Sequence, residues 1–136
     1  MSIFSVTRSA WADHALGFLR IASGIVFISI GSMKVFNVPP SPMPVALLSQ
    51  MGIGGMLEVA GGVLMVLGLL TRPTAFILSG EMAVAYFQFH APQSIFPTVN
   101  QGIPAILYCL LFFYLMFAGP GSWSLDALID RRRTGA

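Results

Sequence analysis

One stretch limits what this chain can fold into: HALGFLRIASGIVFISIGSMKVF, residues 14–36. As a helix rising about 1.5 Å per residue it is long and apolar enough to cross a hydrocarbon layer of about 30 Å, yet it carries Arg20 and Lys34. Gly17, Gly24 and Gly31 recur every seven residues, and so do Arg20, Phe27 and Lys34. On a helix the two series lie side by side and form one seam. The seam offers small residues for close helix approach and two cations that cannot face lipid. The rest of the chain must supply what those cations need.

Composition agrees with a membrane setting. Of 136 residues, 9% are charged and 56% hydrophobic, where a soluble domain has about 25% charged residues. The length suits one domain. Arg131, Arg132 and Arg133 stand near the end of the chain without interleaved aromatics, so they read as a topology signal and not as a nucleic-acid patch. Cys109 is the only cysteine, which excludes an intrachain disulfide or dithiol centre; inside an apolar run it reads as a small buried hydrophobe. The first apolar segment lacks a small-residue cleavage site, so it is expected to stay as a spanning helix and not to leave as a signal peptide.

The expected fold is an all-α integral membrane bundle of four antiparallel transmembrane helices, with both termini cytoplasmic. The bundle covers residues 14–118, with spans at about 14–36, 52–70, 73–91 and 103–118. Residues 1–13 form a cytoplasmic arm with Trp11 at headgroup level. Pro39, Pro40, Pro42 and Pro44 favour an extended connection, and VALLSQM a short surface turn of helix. In the second span Gly54, Gly61 and Gly68 again fall seven apart, near Glu58, and are expected to pack on the first span with a left-handed crossing. In the TRP turn, Thr71 can cap, Arg72 faces water, and Pro73 suits a first helical turn. The third span holds Glu81, Tyr86, Gln88 and His90; Pro104 opens the fourth. After the GPG break, residues 119–136 form an interfacial tail, SWSLDALID being an amphipathic helix with Asp126 and Asp130 toward water. Arg8, Arg72 and the arginine triplet fall on one side of this arrangement and the opposite loops hold no Lys or Arg, which sets the orientation.

Intramembrane charges cost several kcal/mol each unless paired or hydrated. By helical rise, Arg20 lies roughly 9 Å in from one face and Glu81 roughly 12 Å from the same face. Lys34 lies near the other face, with Glu58 roughly 9 Å in. Two ion pairs are expected, Arg20 with Glu81 and Lys34 with Glu58. They either fix helix register or line a polar pocket or proton path. His90 could join Lys34 and Glu58 at a pocket mouth with Tyr86, Asn37 and Asn100, or simply touch headgroups. The spacing of His, Cys and carboxylates suggests no metal site, no strand precedes a glycine-rich nucleotide loop, and His14 and His90 fall at opposite faces. Electron transfer would need a bound quinone or a partner subunit.

Span one with Arg20, Gly24, Phe27, Gly31 and Lys34, the segment GGMLEVAGGVLMVLGLLTRPTA, the segment GEMAVAYFQFHAP, Asn100 with Gly102, and the closing GPGSWSLD together resemble the DoxX family. The resemblance implies a four-helix protein of the bacterial inner membrane, related to the membrane subunit of thiosulfate:quinone oxidoreductase. It departs from the family after Gly102, where Ile103 and Pro104 stand in place of a frequent acid. It implies an accessory, quinone-interacting subunit of a membrane redox system, with no intrinsic cofactor, a redox-enzyme partner and no nucleic acid. The alternatives are a scaffold docking a cytoplasmic partner or a small transporter acting as a homo-oligomer. The candidate site residues are Arg20, Lys34, Glu58, Glu81, Tyr86 and His90.

Overall fold

The computed structural model describes residues 9–43 and 45–135; Arg8, Pro44 and the rest of the first eight residues lie outside them. Every regular element among the described residues is helical: α1 (Ala10–Phe36), α2 (Gln50–Leu67), α3 (Thr71–Ala85) running into a π-helical turn (Tyr86–His90), α4 (Ile103–Ala118) and α5 (Leu125–Thr134). α1 and α2 are long and apolar enough to cross a membrane, and α4 is a shorter apolar helix.

Local chemistry sets the boundaries. Ser9 caps α1, its hydroxyl accepting from the Ala12 amide at 3.2 Å, and Asn37 ends it in the left-handed region at φ 56°. α1 therefore starts inside the expected arm. Ser49 caps α2, so that helix begins two residues before the expected position, and the residues of VALLSQM after Pro44 enter it by a tight turn. α2 stops at Leu67 because Gly68 takes φ 64°, a conformation glycine adopts without penalty. At the start of α3 the expected cap changes hands. Leu70 occupies the capping position without a side-chain bond. Asp126 of α5 instead accepts from the amides of Leu70 and Thr71, both at 2.8 Å. Asp126, half-exposed, is thus also a helix cap: unpaired helix N–H groups attract a carboxylate. Arg72, exposed as expected, also donates to the Met116 and Phe117 carbonyls at 3.0 and 2.6 Å, closing the end of α4.

α1 packs on α2 backbone to backbone. A Cβ on Gly24 would stand 2.7 Å from the Gly62 carbonyl oxygen, and one on Gly31 would stand 2.5 Å from that of Gly55. The heptad expected to face α1 turns elsewhere. Gly54 meets Glu81 and Gly61 meets Leu78, both on α3, while Gly68 ends the helix. α2 lies between two neighbours, and the pairs Gly54–Gly55 and Gly61–Gly62 give each a smooth ridge. Gly17 packs on the Ser122 backbone beyond α4 and not on a helix. The core joins α1, α2, α3 and α4 through Phe27, Met65, Leu78, Met82, Phe112 and Leu115. Phe27 sits at its centre, edge-on to Tyr108 at 5.0 Å and to Phe112 at 4.8 Å. Cys109 is half-buried against this core, its carbonyl accepting from the Ser79 hydroxyl at 2.9 Å. Outward faces carry large apolar side chains such as Phe18, Ile25, Phe76, Leu107 and Phe113, the surface a lipid environment accepts and water does not.

Candidate functional site

The helices run up and down, so each end of the bundle gathers residues distant in sequence. At one end Lys34, in the last turn of α1, reaches Glu58 on α2: Nζ to Oε1 is 2.7 Å. The Glu58 side chain is 2% exposed and that of Lys34 22%. This is the pair expected from the two helix seams. Glu81 on α3 stands on the same side, against Gly54 of α2. Any side chain at position 54 would press on the Glu81 carboxylate, 3.0 Å from its Oε1. The second oxygens of Glu58 and Glu81, both Oε2, are buried without a hydrogen-bond partner among the described residues. Such groups are expensive unless a proton, water or ligand meets them.

These residues border a cavity of about 280 Å³. Lys34, Glu58, Glu81, Gln50 and His90 give it polar corners, and Met51, Met82, Val84, Ala85 and Phe89 give it apolar walls. The π-helical turn brings His90 to it: five residues wound wider than an α-helix shift the register at the end of α3. His90 Nδ1 is 2.9 Å from the Asn100 carbonyl. A carbonyl only accepts, so Nδ1 carries the proton and Nε2 of the neutral ring is left as an acceptor. Gln50 and Gln88 are hydrogen-bonded to each other beside the cavity. Periodicity alone does not reveal Gln50, because it stands in the first turn of a helix expected to start later.

Tyr86 stands behind His90, the rings stacked at 6.4 Å, and its hydroxyl is 3.4 Å from Asn100 Nδ2. Asn100, fully buried, ties the loop by accepting from the Gly102 amide and donating to the Ser94 carbonyl. Asn37 caps α1 and accepts from the Ser41 amide. None of these three borders the cavity, so the alternative of a mouth built with Tyr86, Asn37 and Asn100 does not hold: Tyr86 lies in the π-helical turn, and Asn37 and Asn100 hold a helix end and a loop.

Arg20 does not pair with Glu81. It is fully buried at the opposite end and, among the described residues, donates to backbone carbonyls. Nε reaches Pro120 at 2.7 Å, Nη1 reaches Met65 and Val66, and Nη2 reaches Ser122 at 3.0 Å and Trp123 at 2.9 Å. Carbonyls in the last turn of a helix carry the negative end of its dipole, and Pro120 in the GPG break with Ser122 and Trp123 just after it supply three more. Glu81 lies roughly 15 Å along α3 from Thr71, level with Gly54 in the first half of α2. The four charges thus divide three to one. Beside Arg20, His14 Nδ1 meets the Ser122 hydroxyl at 2.9 Å and its ring stacks on Trp123 at 5.0 Å.

A profile described as DoxX matches residues 15–91. An uncharacterized protein of Haemophilus influenzae is 41% identical over 127 residues, covering 85% of this chain and 91% of that protein. The inner membrane protein YqjF of Escherichia coli is 26% identical over 83% of this chain and 90% of its own length. An uncharacterized membrane protein of Mycobacterium tuberculosis is 27% identical over 85% and 82% respectively. No solved structure matches the chain.

Proposed function

Because this chain belongs to the DoxX family and is an integral membrane protein, we propose that it is an inner-membrane accessory subunit of a redox system whose Lys34–Glu58–Glu81 cavity receives a quinone headgroup. In this reading α1, α2, α3 with its π turn, and α4 are four membrane spans with cytoplasmic termini. One observation carries it: a cavity with apolar walls is bordered by Glu58 and Glu81, each of which holds a buried carboxylate oxygen without a hydrogen-bond partner among the described residues. Its volume, about 280 Å³, is at the small end of ligand pockets, about 300–1,000 Å³, and suits a single ring whose tail stays in lipid.

A quinone held there would supply two-electron, two-proton redox chemistry. Lys34, held by Glu58 at the cavity wall, would donate an ammonium N–H to a ring carbonyl placed there. Glu58 and Glu81 are carboxyl groups that can hold and pass a proton, and His90 can take one at Nε2. Met82 and Phe89 exclude water from the ring. With one cysteine the chain forms no dithiol couple of its own, so the electrons come from a partner subunit.

Purification from membranes followed by lipid extraction tests the reading. Quinone should co-purify, and added quinone should raise the thermal midpoint of the wild-type protein but not of Glu81→Gln. A preparation free of quinone, with a midpoint indifferent to its addition, overturns it.

A further inference from the structure

We propose that the cavity at the Arg20 end of the bundle is a binding site for an anionic phospholipid. This cavity, of about 900 Å³, lies where the ends of α2, α3 and α4 meet α5 and the start of α1. It is the opposite end of the molecule from the Lys34–Glu58–Glu81 cavity, and the inference does not depend on the reading of that site.

Two guanidiniums from separate elements border it, Arg72 in the first turn of α3 and Arg131 in the last turn of α5. Arg72 is fixed at the rim by its bonds to the Met116 and Phe117 carbonyls. Arg131 is exposed and makes no ion pair among the described residues. Asp13 is the acid on the lining, so the arginines outnumber the carboxylates there, and along α5 Arg131, Arg132 and Arg133 outnumber Asp126 and Asp130. The lining also carries aliphatic side chains, Leu67 of α2 and Leu125 and Leu128 of α5, beside His14, Ser122 and Ser124. Both leucines of α5 remain partly exposed, at 38% and 47%.

An anionic head beside aliphatic surface, at the end of a membrane bundle, fits one kind of occupant. Its phosphate sits between Arg72 and Arg131, and its acyl chain runs along Leu67 and Leu128. A zwitterionic lipid carries its own cation into a positive site. Free phosphate leaves the aliphatic side chains unused.

Native mass spectrometry of the full chain released from detergent tests the site. Phosphatidylglycerol, phosphatidylcholine and inorganic phosphate are offered separately at equal concentration. Phosphatidylglycerol adducts should exceed phosphatidylcholine adducts, and Arg131→Gln should lower them about five-fold, the effect of one arginine near an anionic headgroup. Arg131→Lys should keep most of the binding. Arg132→Gln removes the same charge one residue away from the lining and should lower binding much less. Unchanged circular dichroism of the exposed-site variants certifies the fold. Equal adducts of the two lipids, equal losses from Arg131→Gln and Arg132→Gln, or inorganic phosphate adducts as abundant as those of phosphatidylglycerol, would each overturn the proposal.

Discussion

Replacing Arg20 by Met removes a fully buried guanidinium and leaves five carbonyl acceptors to find other donors. Charge-assisted hydrogen bonds contribute roughly 1.5–3 kcal/mol each in isolation, but these five share one side chain and water can reach the loop after α4. The net loss expected is about 3–5 kcal/mol, the cost of breaking a buried charged network. Arg20→Lys offers three donors from a single point instead of a five-donor fork, and should fall between Met and wild type. Denaturant unfolding in detergent, followed by circular dichroism, reads both. A double-mutant cycle with Glu81→Gln then separates two geometries. With no shared partner, the losses should add within about 0.5 kcal/mol. If Arg20 bonded Glu81 inside the bundle, Glu81→Gln would rescue Arg20→Met. Such rescue, or an Arg20→Met loss under about 1 kcal/mol, would refute the carbonyl-anchored arrangement.

Three further outcomes follow from the packing. Lys34→Met leaves Glu58 buried and uncompensated and should cost about 3–5 kcal/mol, whereas Lys34→Met with Glu58→Leu should lose less than the sum of the two singles; additive losses in the same unfolding assay would contradict the pair. Gly24→Ala places a methyl against the Gly62 carbonyl and should cost about 1–3 kcal/mol through backbone displacement. Gly80→Ala, where nothing lies within 4 Å, should be neutral or stabilising by up to about 1 kcal/mol; equal effects at both positions would mean that the α1–α2 contact is looser than described. Asp126→Ala removes the acceptor for the Leu70 and Thr71 amides and should cost about 1–2 kcal/mol, with faster trypsin cleavage at Arg131, Arg132 and Arg133; unchanged cleavage would mean that the cap does not hold α5.

Some of this was written in local pattern. Apolar length, glycine spacing and the scarcity of charge dictate helices that bury little polar surface, because a chain with 9% charged residues has few groups to present to water. The residues 103–118 expected as helix are those of α4, since Pro104 and Gly119 mark its ends by rules that act within a few residues. The Lys34–Glu58 contact was legible for a similar reason. Each residue lies on the seam of a helix whose neighbour follows directly in sequence, so one antiparallel register brings them level.

What the sequence by itself determined is which segments are helical and apolar and that the cations within them must find partners. Which partner each takes was decided only by tertiary structure. A heptad of glycines has the same period on either side of α2, so spacing cannot tell the Gly55–Gly62 ridge that meets α1 from the Gly54–Gly61 ridge that meets α3. Depth along a helix likewise cannot see backbone carbonyls, which belong to no residue type. Arg20 is therefore satisfied by the end of α2 and the loop beyond α4, and Asp126 crosses to the start of α3. Helix ends expose unpaired amides and carbonyls wherever they fall, and only the folded chain shows which charged side chain lies close enough to bind them.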